Sequence, residues 1–391
     1  MRLPPPLQTI AARFRQKCAV AEVNMFGETA APLGPRTGGT GHSTGGLFAR
    51  VLVGNWAACF LLFMLLVFSF TGQNFLSIIN FQNVVHLQTV PLLLAAAETF
   101  VIITGGIDLS IGFVTGLASV TAAELMQIFA GKGMPPDLVI LLGSLLAILL
   151  SLLPGLVNGV VITRFKVPPF IATLGMWGIA NGLALKLCEG FPVAGLPDRL
   201  SEIGNGYLLY VLPGNFVSFF DKPMGFPDAR IRELWRLIPY SLPFILAVLG
   251  ILTYVLRRKR FGRHTYAIGG NMDAAIRSGI AVDRHLILVY MLSSFLAGMA
   301  GVFNVFQTGV GNYTTFSAMY ELFAVAAVVI GGASLSGGKG SVFRSAIGVL
   351  VLAFMENGLA ISGVLPFYRY IAVGVLLIIA VTIDKLFPRL R

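Results

Sequence analysis

Apolar runs about twenty residues long follow one another through most of this sequence, and that pattern constrains the fold more than any other feature. A helix needs about 20 residues to cross about 30 Å of hydrocarbon. Such runs are read near Leu47–Phe70, His86–Thr104, Ile111–Phe129, Leu138–Ile162, Pro168–Lys186, Ile238–Leu256, Leu286–Val305, Leu322–Gly338, Val342–Ile361 and Phe367–Ile383. The expected fold is therefore all-α, a polytopic integral membrane protein of about ten transmembrane helices with both termini on one side. Gly and Pro interrupt several runs, which membrane helices tolerate when neighbours satisfy the freed backbone groups. Composition agrees: 12% of the 391 residues are charged and 56% hydrophobic, against about 25% and 45–50% in soluble domains. A soluble globular enzyme, a disordered chain and a disulfide-built module are excluded. Cys18, Cys59 and Cys188 lie far apart, with no metal-ligand spacing.

Residues 1–46 read as a separate basic tail, rich in Gly, Pro, Thr and Ser from Ala31 to Gly46. Disorder is expected there in preference to a short helix over Arg13–Val23, and initiation at Met25 is an alternative start. Residues 47–391 form the transmembrane domain. With the N-terminus in the cytoplasm, the ten spans place 20 Lys and Arg inside and 8 outside. This split follows the positive-inside rule, and it assigns the net charge of +11 to membrane topology rather than nucleic-acid binding. Two loops are long. Glu189–Tyr240 faces outward and is expected to hold short structured pieces on the membrane. Arg257–His285 faces inward and is the most basic. Within it, Asn271 or Asp273 is placed to cap a short helix ending at Gly279.

Motifs that carry catalytic chemistry are missing from the sequence. The run Gly331–Ser341 (GGASLSGGKGS) has the flavour of a phosphate loop, but Ala333 and Gly340 stand where that motif needs Gly and Ser or Thr. LSGGK (Leu335–Lys339) also matches an ATPase signature by accident. The run reads instead as a tight cytoplasmic turn between two spans. The four histidines are scattered, with no HExxH and no GxSxG. No cofactor and no metal are expected in this chain. In TGGIDLSIG (Thr104–Gly112), Asp108 or Ser110 reads first as the N-cap of the third span, and second as part of a gate. Glu98, Asp108, Asn158, Asn181, Glu321 and Asn357, with Glu124 and Glu356, are the groups for a solute pathway; interhelical hydrogen bonding is the equal alternative for each. A chain of carboxylates also suits a proton-coupled secondary transporter.

Three segments carry a resemblance: VIITGGIDLSIG (Val101–Gly112), YAIGGNMDAAIRSGI (Tyr266–Ile280), and YELFAVAAVVIGGASLSGGKGS (Tyr320–Ser341) followed by ENGLAISGV (Glu356–Val364). In this order and spacing, they make the chain resemble permease subunits of bacterial ABC importers for monosaccharides, of the ribose/xylose/arabinose type. The resemblance covers residue 50 to the C-terminus, with a minor departure at Met272. It implies a bacterial inner membrane protein with two permease chains forming the path, identical or paralogous. It also implies a separate ATPase that hydrolyses the ATP, a periplasmic sugar-binding protein, surrounding lipid, and no nucleic acid. By the same resemblance, Gly269, Gly270, Asn271, Ala274, Ala275, Ser278, Gly279 and Ile280 form the ATPase-coupling segment. Another small polar solute, such as a nucleoside, an amino acid or a sugar-derived signal, is the nearer alternative; a membrane scaffold without flux is the remote one.

Overall fold

The computed structural model describes residues 56–212, 216–220, 234–313 and 319–386. The tail expected over 1–46, and the start of the first expected span, lie outside them. Fifteen helices and three strands are seen among the described residues. The chain runs α1 (Trp56–Thr71), α2 (Ile78–Leu87), α3 (Thr89–Ile103), α4 (Ile111–Gly131), α5 (Pro136–Leu150), α6 (Leu152–Arg164) and α7 (Pro169–Leu187). A small outer module follows: α8 (Arg199–Asn205), β1 (Tyr207–Leu212), β2 (Phe216–Phe219) and β3 (Trp235–Pro239). Then come α9 (Ser241–Arg258), α10 (Arg260–Gly270), α11 (Met272–Arg277), α12 (Val282–Thr308), α13 (Tyr320–Ile330), α14 (Val342–Ile361) and α15 (Pro366–Leu386).

The expected count of about ten spans is not reproduced. Among the described residues, six helical stretches are long and apolar enough to cross a membrane, and a bent pair makes up to seven. The first expected span lies partly outside the described residues, and two of the other differences have physical causes. The expected second span is α2 and α3 together, starting at Ile78 and bent by 45° at Gln88. The expected eighth span is cut short: α13 has 11 residues, about 16 Å at 1.5 Å per residue. Glycines at 331–340 then turn the chain back. Gly332, Gly337 and Gly338 all have positive φ, and Ser334 N–H donates to the Lys339 carbonyl at 3.1 Å to close the turn. The expected fourth span holds as Pro136–Arg164, with a helix junction at Ser151.

Helix α3 lies between two apolar cores. Leu93, Ala97 and Phe100 join the core shared with α4, α9 and α12. Ala95 and Ile102 join the core shared with α1, α13 and α14. The helix is buried almost throughout, so any polar group on it that is left unpaired carries a desolvation cost. Helix α12 packs along α3, α4 and α6. The approach is close because glycines face it: a Cβ on Gly155 or Gly159 of α6 would run into the backbone of α12 at Tyr290 or Ile287. The opposite kind of surface is seen on α5. There Leu141, Leu145 and Leu149 are exposed at intervals of four residues, an apolar stripe suited to lipid tails.

Contacts between loops define the two ends of the bundle. At one end, the loop after α6, the α10–α11 segment and the glycine turn after α13 gather. Lys166 pairs with Asp283 at 3.3 Å, and Gly338 N–H donates to the Ile103 carbonyl at 2.9 Å. This end carries Arg257, Arg258, Lys259, Arg260 and Arg263, and is called the basic end below. At the other end, Arg199 pairs with Asp137 at 2.9 Å. Gln307 Nε2 donates to the His86 carbonyl, also at 2.9 Å. The structured pieces expected over Glu189–Tyr240 are present here as α8 and an antiparallel sheet of order β2-β1-β3, with Leu209 opposite both Phe219 and Leu237.

Candidate functional site

The segment between α3 and α4 is not helical, and a buried polar network fixes it. Gly105, with φ +84°, lets the chain turn back after Thr104. Residues 106–109 then run extended or turned to the start of α4. Asp108, fully buried, is the hub. Its Oδ1 accepts the Ser110 N–H at 3.0 Å and the Ser110 hydroxyl at 2.6 Å. Its Oδ2 accepts the Ser293 hydroxyl of α12 at 2.7 Å. Its own N–H donates to Glu98 Oε1 of α3 at 3.1 Å. Asn158 Nδ2 of α6 donates to Ser110 Oγ at 3.0 Å, and Leu109 N–H donates to Thr173 Oγ1 of α7 at 3.2 Å. Five helices are thus tied to one unwound segment. The expected cap takes another form: Ser110 is the N-cap residue of α4 but makes no side-chain cap bond. Asp108 closes an Asx turn onto it instead and reaches across to α12.

Sequence reasoning named Glu98, Asp108 and Asn158, and these three come together. It missed Ser110 as a bridge, and it missed Thr173 and Ser293. The available signal was small hydroxyl residues within apolar helices, which are too common to single out. Tyr290 was missed as well. Its hydroxyl is buried beside Gly106, where a Cβ would collide with it. The Tyr290 hydroxyl and Glu98 Oε2 both lack a hydrogen-bond partner among the described residues. Satisfied on Asp108 and open on Glu98 and Tyr290, the network can hold the segment while leaving polar atoms free for a second arrangement.

The other predicted polar residues lie elsewhere. Asn357 of α14 makes the interhelical alternative: its amide and that of Asn80 on α2 exchange two bonds, at 2.8 and 2.9 Å. Glu321 sits in the first turn of α13, against Gly112, and its Oε2 is buried without a partner. Asn181 on α7 and Glu124 on α4 are half-buried and join neither group. Glu124 faces a mostly apolar groove shared with Leu150, Pro154 and Leu183.

At the basic end, Gly269–Ile280 forms a helix–turn–helix. α10 ends at Gly270, and Asn271 caps α11, its side chain accepting the Ala274 N–H at 2.9 Å. Gly279, with φ +80°, terminates α11. Its N–H bonds the Ile276 carbonyl, and the Ile280 N–H bonds the Ala275 carbonyl, the paired bonds of a Schellman motif. Ala275 is buried, whereas Met272 and Ile276 are exposed at 44% and 55%, one turn apart on the outer face. The segment is seated directly on the bundle. A Cβ on Gly269 would collide with the Ile103 carbonyl oxygen at the end of α3 and would come within 2.6 Å of Gly338 N. Tyr266 of α10 donates its hydroxyl to the Gly340 carbonyl at 2.8 Å. Burial pushes that phenol up, against the opposing pull of Arg257 and Arg344, so it remains a donor at neutral pH. Three loops therefore meet at Ile103, five residues from the Asp108 hub.

Comparison with known proteins assigns this architecture. Residues 80–381 match the family described as branched-chain amino acid transport system / permease component. The chain belongs to this permease family. The permease is 36% identical to the ribose import permease of Bacillus subtilis over 327 residues, covering 83% of this chain and 90% of the relative. It is 35% identical to the xylose transport system permease of Haemophilus influenzae, over 80% of this chain and 91% of the relative. Against the galactose/methyl galactoside import permease of Salmonella typhimurium, the figures are 33%, 83% and 92%. No solved structure gives a significant match. The permease is thus a multi-pass membrane protein of a transport system.

Proposed function

We propose that this permease is the membrane subunit of an ATP-driven importer that moves a monosaccharide into a bacterial cytoplasm. The observation that carries the proposal is near-complete coverage of relatives named for ribose import, xylose transport and galactose/methyl galactoside import. The α10–α11 segment suits the coupling role. It is short and capped at both ends, it is locked to α3 through Gly269, and it presents Met272 and Ile276 outward. A separate ATPase docks there and hydrolyses the ATP; no nucleotide site or cofactor is assigned to this chain. A periplasmic binding protein delivers the sugar at the opposite end, and a second permease chain, identical or paralogous, completes the path. Orientation follows the charge: the basic end and both termini are cytoplasmic.

Coupling acts by population shift. Docking of the ATPase displaces α10–α11, and the contact at Ile103 transmits that displacement to the unwound segment held by Asp108. The arrangement seen here and a second one then differ in which buried polar atoms are paired. Glu98, Asp108 and Asn158 act in this reading as the gate, with Glu321 beside it.

The deciding experiment is purification of the tagged permease from its native membrane in mild detergent. A stoichiometric ATPase is expected to co-purify, and to be lost with Gly270→Trp, where a side chain meets open space and alters only the docking surface. Retention of the ATPase by that variant would remove the coupling assignment. A second reading has one observation in its favour, since the matched family description names branched-chain amino acids. Uptake of L-leucine in place of D-ribose, D-xylose and D-galactose would establish it.

A further inference from the structure

A cleft opens at the bend of the second span, on the half of the bundle away from the basic end. Its volume is about 280 Å³, ample for several waters or a small polar solute. Six side chains give it its chemistry: Gln88, Tyr320, Phe323, Glu356, Arg369 and Tyr370. Gln88 is the break itself, standing between the end of α2 and the start of α3. Tyr320 opens α13 immediately after Met319, which has φ +51°. Glu356 is fifteen residues into α14 from Ser341, about 22 Å along the helix. Arg369 lies in the first turn of α15.

Two features separate this cleft from ordinary helix packing. Gln88 Oε1 and Arg369 Nε are buried atoms with no hydrogen-bond partner among the described residues. Two such atoms lining one cleft give it hydrogen-bonding capacity that the helix packing does not use. Glu356 and Arg369 also share the lining without closing an ion pair. The two side chains attract each other without closing a direct contact, which leaves room between them for a third group.

We propose that this cleft is a monosaccharide subsite on the translocation path, an assignment that rests on the import function proposed above. A sugar hydroxyl both donates and accepts. It satisfies the Gln88 carbonyl oxygen and the Glu356 carboxyl as a donor, and the Arg369 guanidinium as an acceptor. Tyr320, Phe323 and Tyr370 supply flat apolar faces for the C–H side of the ring. A simple anion meets Glu356, and an apolar solute leaves Gln88 and Arg369 unpaired. The position also suits delivery, because a helix broken within the membrane marks a substrate site in other transporters. Sugar released at the outer end reaches the cleft before it reaches the Asp108 segment.

The test is uptake of radiolabelled D-ribose, D-xylose and D-galactose by cells that carry the native partner subunits and either wild-type permease or a variant. Saturating sugar is used, so delivery is constant and remaining differences belong to the permease. Gln88→Glu and Glu356→Gln keep side-chain size, and membrane abundance is measured for each. Loss of one hydrogen bond to the sugar is expected to lower the maximal rate by about three- to tenfold. It is also expected to change the order of preference among the three sugars, which a merely structural defect does not do. Arg369→Lys is expected to retain more uptake than Arg369→Gln. Wild-type uptake of one sugar, with all variants within twofold and the same preference, would overturn the subsite and leave the import function standing. No wild-type uptake of any of the three would overturn both. Uptake of L-leucine, sensitive to the same variants, would overturn the sugar assignment.

Discussion

At the residue scale, Asp108 shows how a carboxyl is kept in the interior of a helical bundle. It accepts three hydrogen bonds, from Ser110 N–H, Ser110 Oγ and Ser293 Oγ. An intramembrane ionisable group must be paired or face water, and this one is paired wholly with protein. Ser293→Ala removes the one bond that joins the hub to α12. The expected effect is a loss of stability of about 1–3 kcal/mol, the cost of an unmade buried bond. It is read as a lower melting temperature of the detergent-purified protein. Ser278→Ala is the control, because the Ser278 hydroxyl is exposed and bonds only within its own turn. Equal melting temperatures for the two variants would show that Asp108 does not depend on α12.

At the element scale, two adjacent glycines do different things. Gly269 faces the carbonyl of Ile103, with no room for a methyl group, and Gly270 faces open space. Overpacking against backbone costs about 1–3 kcal/mol, so Gly269→Ala is expected to weaken the seat of α10 and lower uptake. Gly270→Ala is expected to leave both intact. The measurement is ATPase co-purification and uptake with each variant; indistinguishable results would remove the idea that α10 is rigidly seated. The same geometry separates two bulky substitutions in the coupling segment. Gly270→Trp adds a side chain at the surface and should block docking alone. Ala275→Arg places a charge in a buried position and should unseat α11 itself.

At the scale of the whole molecule, the proposed orientation rests on the distribution of charge. Lys166 and Arg199 lie at opposite ends with exposed side chains, in ion pairs with Asp283 and Asp137. Exposed pairs of this kind contribute about 0–1 kcal/mol, so either residue can be replaced without unfolding the bundle. With the natural cysteines replaced by serine, a membrane-impermeant maleimide on intact cells should label Arg199→Cys, and should label Lys166→Cys only after permeabilisation. The reverse pattern would invert the topology and place the α10–α11 segment outside, where no ATPase reaches it.

The membrane class, most of the spans, the basic end and the capped helix at Asn271–Gly279 were legible in the sequence. Each follows from a local signal: run length, charge count, or the two residue types that start and stop a helix. The cut eighth span was beyond that reach. Leu322–Gly338 is apolar enough to look continuous, but positive-φ glycines and the bond from Gly338 to Ile103 end the helix at Ile330 and hold the rest as a turn at the basic end. The bend at Gln88 was hidden for the same reason, because hydropathy measures composition and not direction. Glu98, Asp108 and Asn158 were legible as misfits in apolar runs, whereas their partners Ser110, Thr173 and Ser293 were not. Asn357 was legible as polar, but only packing paired it with Asn80, 277 positions away. Burial and hydrogen bonding are satisfied between helices far apart in the chain. For that reason the tertiary structure alone decided which polar residues form the hub, which tie helices together, and which are left open in a cleft.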